Sequence, residues 1–336
     1  MYKKKQDIKP DVVLKEYWKD NVRFADFFNA VLFNGKQLID PGELSDADTE
    51  SGFIIENKNY ASSISAARDN IKIWKKFGIS LALLGMENQD NVHYGMPVRI
   101  MGYDYSAYKK QCDVIAAKNK QQGVKISGEY LSGIKKTDKI YPVITVVVYY
   151  GQEPWDGATS LYDMFGMPEE LKGFINDYKI TLVEARNGSM GFYSKDNRDF
   201  FNIMEKILNC KRVTKGVKNE IIKYCHDNSV DIPVIKAVAR AAKANIDYSI
   251  LERGDDVMCV LFDEIEKNGI KEGRKEGRKE GRKEGVMAII KMCYEFGVPE
   301  ELIPGKICSN IDVSLEEAYS YIKEYKKIWE MGHTVI

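Results

Sequence analysis

The chain has no surplus of either charge: its 336 residues carry 50 Lys and Arg against 50 Asp and Glu. No global field draws it to nucleic acid or to a membrane surface, so any DNA contact must come from a local basic face. It also lacks paired cysteines. Cys112, Cys210, Cys225, Cys259, Cys293 and Cys308 are scattered, with no Cys-x-x-Cys spacing. That argues against a zinc cluster or a disulfide framework and suits a reducing cytosol. His93, His226 and His333 make no ligand spacing either. The apolar run Val143 to Tyr150 is far short of the roughly 20 residues a membrane helix needs. No apolar stretch follows the charges of Met1-Tyr2-Lys3-Lys4-Lys5, so no signal peptide is expected. There is no Gly-x-Gly-x-x-Gly, no Walker loop and no Ser-His-Asp layout. These absences lead to the expectation of a cytoplasmic protein with no membrane partner.

What is present can build a core. Hydrophobic residues make up 44% and charged residues 30%, which suits one large domain or two ordinary ones. Residues 11–33 read as one helix, with Phe24, Phe27, Phe28, Val31 and Leu32 at three- and four-residue spacing. Asn34-Gly35 ends it. Gln37 to Ile39 reads as a short strand, closed by Asp40-Pro41-Gly42, and an acidic loop runs from Glu43 to Glu50. Residues 52–56 and 70–74 are strand candidates. Residues 79–86 are a stronger one, because a continuous apolar run of that length suits a strand covered on both faces. Pro97 opens a helix from Val98 to Lys118. A polar stretch, Asn119 to Lys139, reads as containing a mobile loop. Tyr141 to Tyr150 is rich in Val, Ile and Tyr and reads as a strand. A strand pair linked by a helix implies a crossover and a mixed sheet with helices packed on it. From 160 to 265 the pattern reads as mostly helical, with a strand at Lys179 to Glu184.

Residues 270–285 change character. Lys-Glu-Gly-Arg recurs, with Gly at 273, 277, 281 and 285. Each glycine costs a helix roughly 1 kcal/mol relative to Ala, and the i,i+4 neighbours carry like charge. A spacer or a solvated helix is the plain expectation. The sharper one is a homo-oligomer, with the glycine stripe admitting a second helix. DNA binding there is less favoured because Glu interrupts the basic residues, although seven basic against four acidic over 271–285 leave a net +3. Val286 to Phe296 reads as a short amphipathic helix. Ser314-Leu315-Glu316-Glu317 has the form of an N-capping box that opens a last helix ending near Trp329. The resulting division is a core over 10–165, a helical extension over 166–268, the repeat over 269–285 and a helical appendage over 286–330.

The chemistry concentrates at one strand end. Leu81-Ala82-Leu83-Leu84-Gly85-Met86-Glu87-Asn88-Gln89 is an apolar run ending in a carboxylate and an amide, with Arg68-Asp69 upstream. On a strand, residues i and i+2 share a face, so Glu87 and Gln89 project together and Asn88 points away. Asp69, in or before a neighbouring strand, is placed to complete a Mg²⁺ site. The plain alternative is a pair of solvent-facing strand-end residues. His93, Arg99 and Lys109-Lys110 are weaker candidates for phosphate contacts. Trp155 and Tyr149-Tyr150 read as core rather than as base-stacking platforms.

Several segments in order resemble one bacterial family: Asn21-Val22-Arg23-Phe24-Ala25-Asp26-Phe27-Phe28-Asn29, then Asp69, then Gly85-Met86-Glu87-Asn88-Gln89, then Met96-Pro97-Val98-Arg99, then Pro142 to Gly151 with Trp155 after it. The resemblance is to the Rpn-type recombination-promoting nucleases, also called YhgA-like putative transposases, of the PD-(D/E)XK nuclease superfamily. It covers roughly residues 10–165, and the Lys-Glu-Gly-Arg tract with its helical tail is similar to C-terminal ends in that family. It implies an α/β restriction-endonuclease-like core, αβββαβ, with a mixed central sheet flanked by helices and a helical C-terminal region. It implies a Mg²⁺-dependent (or other divalent cation) DNA endonuclease acting in recombination or transposition. By position Asp69 matches the central acid, Glu87 the acid of the Glu-x-Lys element, and Gln89 the place of its Lys. Glu16, on the first helix, is the candidate assisting acid, and Asp48 and Glu50 compete for the metal site. Gln89 in place of Lys leaves a second expectation open: a decayed nuclease fold that serves as a DNA-binding or oligomerisation module.

Overall fold

Fully buried aromatic rings define the first layer of the core: Trp18, Phe24, Phe27 and Phe28 all lie on two helices, α1 (Pro10–Lys19) and α2 (Asn21–Phe33). The computed structural model describes residues 10–47, 51–57, 60–66, 68–123, 132–188, 190–210, 214–244 and 257–332. The helix expected over 11–33 is broken at Asp20. That residue leaves the helical conformation, and its carboxylate accepts from the Arg23 N–H at 2.9 Å, capping α2. Apolar periodicity crosses such a break because both helices bury the same face. Asn34 ends α2 in the left-handed region at φ 53. The strand expected at Gln37 to Ile39 does not form. The buried Asn29 amide takes the part of a partner strand: its Oδ1 accepts from the Leu38 and Ile39 N–H groups, and its Nδ2 donates to the Ile39 carbonyl.

The sheet has five strands in the order β1 (Leu44–Asp46), β4 (Asn70–Lys76), β5 (Ile79–Gln89), β6 (Val143–Tyr149) and β7 (Thr181–Glu184). The pairs β1–β4 and β4–β5 are antiparallel, while β5–β6 and β6–β7 are parallel. β2 (Ser51–Asn57) and β3 (Tyr60–Ala66) form a separate hairpin. A two-residue turn, Phe77-Gly78 at φ 51 and 78, joins β4 to β5. α3 (Met96–Gln121) carries the chain from β5 to parallel β6, the crossover that the sequence implied. Ala82, Leu84 and Met86 of β5 and Val146 and Val148 of β6 pack on α1, α2 and the Phe200-Phe201 pair of α4 (Lys195–Leu208). On the opposite face, Val147 meets Met96, Ile100 and Tyr103 of α3.

β7 lies past residue 165, so the sheet is not complete within the span of the resemblance. Residues 160–194 are also not mostly helical. They hold short 3₁₀ turns at Tyr162–Met164, Glu169–Phe174 and Ala185–Asn187. Asp163 stabilises the first of these by accepting from the Thr159 and Ser160 N–H groups, a local bonding mode that competes with helix. Regular helices resume with α4, α5 (Lys215–Asp227) and α6 (Ile232–Ala241).

Contacts divide the chain into two units, Met1–Ile265 and Glu266–Ile336. The repeat is helical, lying inside α7 (Val257–Glu295). Val286, Ile290 and Cys293 of α7 form a second core with Ile303 and Ile307 of α8 (Ile303–Asn310) and Ala318 and Ile322 of α9 (Leu315–Gly332). The capping box forms as read: the Ser314 N–H donates to Glu317 Oε2 at 2.8 Å, and the Glu317 N–H to Ser314 Oγ at 3.2 Å. Among the described residues, no helix is long and apolar enough to cross a membrane.

Candidate active site

β5 turns polar at its last three residues, where β6 still pairs with it: Glu87 opposes Val147 and Gln89 opposes Tyr149. This pairing holds Glu87 rigidly and buries it to 2% exposure under α3. Glu87 and Gln89 share a face as expected, and Gln89 Nε2 donates to Glu87 Oε1 at 3.0 Å. From α3, Arg99 brings Nη2 to within 2.8 Å of the same oxygen, and the Tyr103 hydroxyl donates to it at 3.5 Å. Arg99 Nε also donates to the Tyr103 oxygen at 2.7 Å, which fixes both side chains. The other oxygen, Oε2, is buried and has no hydrogen-bond partner. Burial pushes the Glu87 carboxyl up to about 7, the Asp69 charge adds to the rise, and Arg99 and Arg68 oppose it.

Asp69 sits in the bend just before β4. Its carboxylate is therefore free of the strand's alternation and reaches Asn88 as well as the field of Glu87. Asp69 Oδ2 accepts from the Asn88 main-chain N–H at 2.8 Å and from Asn88 Nδ2 at 3.3 Å. Asp69 Oδ1 meets Lys15 Nζ at 3.2 Å. Arg68, beside it, anchors the bend from below. Its guanidinium pairs with Asp104 of α3, and its Nε donates to Thr145 Oγ1 at 3.0 Å. Thr145 Oγ1 donates to Asp104 Oδ1 at 2.6 Å, and the Tyr178 hydroxyl donates to Asp104 Oδ2. Gly85 is the place where Arg68 crosses β5: a Cβ there would lie 2.5 Å from Arg68 Cδ.

The structure thus brings together Asp69, Glu87 and Gln89 but not Glu16. Glu16 faces solvent and pairs with Lys19 at 3.5 Å, one helical turn along. Its neighbour Lys15 is the α1 residue that reaches the site. Asp48 and Glu50 lie outside the described residues, as do His333 and residues 124–131 of the stretch read as a mobile loop. Arg99 is drawn onto Glu87 rather than standing free, and Lys109 pairs with Asp113 along its own helix. His93 is exposed. Tyr150 is buried at 1% and Trp155 packs edge-on against Tyr149, so neither ring is a stacking platform. Sequence reasoning missed Asn88 and Lys15. The Glu-x-Gln pattern treats Asn88 as a spacer, and nothing in the sequence aims Lys15 at Asp69.

Two carboxylates near enough for the charge of Asp69 to act on Glu87 supply hard oxygen donors here, and one of those atoms, Glu87 Oε2, is buried and unsatisfied. That donor set fits Mg²⁺, which keeps several waters and commonly takes only one or two protein carboxylates. Among the described residues, no group of three or more His, Cys, Asp or Glu side chains gathers at a point. Compared with protein-family models, with curated proteins and with solved structures, the chain matches none.

Proposed function

We propose that the chain is a metal-dependent DNA endonuclease on a restriction-endonuclease-like core. The observation that carries this reading is Glu87: a carboxylate held under a helix, beside Asp69, with Oε2 buried and unpartnered. A buried, unmatched acceptor costs stability and persists where something else uses it. The sheet supports the same reading. With α1 and α2 counted as one broken helix and the separate β2–β3 hairpin set aside, the elements follow in the order αβββαβ, with Asp69 just before β4 and Glu87 on β5. The setting in recombination or mobile DNA rests on the family resemblance alone.

Asp69 and Glu87 would hold the divalent cation. Once bound, the ion supplies a water of lowered pKa and neutralises charge on the scissile phosphate. Gln89 orients Glu87 through Nε2, a narrower role than positioning water or phosphate. Arg99 is 37% exposed at its side chain and lies at the same carboxylate, so it supplies a local cation for a phosphate oxygen. Lys15, at Asp69, supplies a second. With zero net charge, these local cations are the ones that bring DNA to the site.

A second reading also has an observation behind it. Both carboxylates already carry internal cations, Asp69 with Lys15 and Glu87 with Arg99, which suits a decayed site that only binds DNA. Mg²⁺-dependent nicking of supercoiled DNA separates the two. Asp69→Ala and Glu87→Ala should each lower the nicking rate by at least about a hundredfold. Equal activity in all three proteins would sink the site assignment. An inactive wild type that still binds DNA would establish the decayed module.

A further inference from the structure

A chain of hydrogen bonds runs from the aromatic core out to Asp69. Trp18 Nε1 donates to the Tyr150 hydroxyl at 3.3 Å, and that hydroxyl donates to Asn88 Oδ1 at 2.8 Å. Asn88 Nδ2 then donates to Asp69 Oδ2 at 3.3 Å, beside the Asn88 main-chain N–H at 2.8 Å. The direction is enforced at both ends: an indole N–H can only donate, and a carboxylate can only accept. Trp18 and Tyr150 are buried at 0% and 1%, so water does not compete for the inner links. Only one amide orientation of Asn88 satisfies both of its neighbours. The two oxygens of Asp69 are thereby made unequal. Oδ2 is occupied from inside the fold, while Oδ1 faces Lys15, whose side chain is 45% exposed.

We infer that Asn88 is a positioning residue that makes Asp69 a one-oxygen ligand, and that Lys15 is an exchangeable counter-charge displaced when a divalent cation binds. The inference rests on the metal-site reading above. It predicts opposite signs for two substitutions at the same carboxylate. Asn88→Ala frees Asp69 to rotate and should weaken Mg²⁺ binding by about tenfold, the usual scale for losing a group that orients a ligand. Lys15→Met removes the competitor and should tighten Mg²⁺ binding by about threefold or more. Tyr150→Phe cuts the chain one link further in and should fall between wild type and Asn88→Ala. It also serves as the test if Asn88→Ala does not fold.

The experiment is calorimetric titration of the full-length protein with MgCl₂ alone, without DNA, on folded variants verified by circular dichroism. Weaker binding in Asn88→Ala with tighter binding in Lys15→Met supports the assignment. Wild-type affinity in both Asn88→Ala and Tyr150→Phe overturns the positioning role. Weaker binding in Lys15→Met overturns the exchange. No Mg²⁺ binding by wild type overturns the metal-site reading itself, and this inference with it. The two failures therefore give different results.

Discussion

Glu87 is expensive to the fold whenever it is charged. Its carboxyl is raised from the ordinary value to about 7, mainly by burial. A raised carboxyl pKa means that the folded state holds the proton more tightly than the unfolded chain does. The contribution of Glu87 to stability is therefore fully present below the unfolded pKa, and it is lost as pH rises through about 7. Glu87→Gln keeps the shape and removes the charge. Its melting temperature should gain on wild type between pH 5 and pH 8, by the equivalent of on the order of 2 kcal/mol, with little difference at pH 5. A constant offset across that range, measured by thermal denaturation, would contradict the assigned environment. Mg²⁺ binding should meanwhile weaken below pH 7, because the proton must leave first. Removal from water is the single cause of both the raised carboxyl pKa and the cost of the charged form.

Two elements invite separate tests. The β4–β5 turn places Phe77 at φ 51 with its side chain 94% exposed. A bulky residue in the left-handed region is strained, and this one recovers nothing by packing. Phe77→Asn should stabilise the protein by about 0.5–1 kcal/mol in chemical denaturation. Loss of stability would mean that the ring makes a contact absent from the isolated chain. In α7, a Cβ at Gly277 or Gly281 would meet nothing within 4 Å. Gly277→Ala and Gly281→Ala should then raise helix stability by roughly 1 kcal/mol each. If the glycine stripe seats a second copy of the helix, the same substitutions will lower the association measured by sedimentation. An unchanged sedimentation coefficient would leave the stripe as a plain solvated face.

At the scale of the whole chain, every side chain placed at the candidate site belongs to the unit Met1–Ile265. The unit Glu266–Ile336 has its own apolar cluster and its own capping box. If the chain binds Mg²⁺ as proposed, a protein ending at residue 265 should keep the affinity of the full chain within about twofold, since the groups named above as shifting Glu87 all lie in the retained unit. A larger change would show that the second unit bears on the site. Its oligomeric state, compared with the full chain by light scattering, locates any self-association in one unit or the other.

Much of this was legible residue by residue. The apolar run before Glu87 had the length and continuity of a covered strand, and strand alternation put Glu87 and Gln89 on one face. The capping box at Ser314 was legible because its partners lie three residues apart. What escaped the sequence depended on contacts between distant positions. The unformed strand at Gln37 to Ile39 follows from the Asn29 side chain, which takes those groups from nine and ten residues back, whereas the break at Asp20 rests on a local cap that the shared apolar face of α1 and α2 masked. β7 was legible as a strand at Lys179 to Glu184, but its parallel pairing with β6 was not, because the partner strand lies some thirty residues away in sequence. Lys15, not Glu16, reached Asp69 because burial of Leu14, Tyr17 and Trp18 sets the rotation of α1. Asn88 became more than a spacer only once Tyr150 and Trp18 stood behind it. Local spacing settles which residues share a face. Which partner each finds across the core is settled by packing, because that geometry sums over the whole chain.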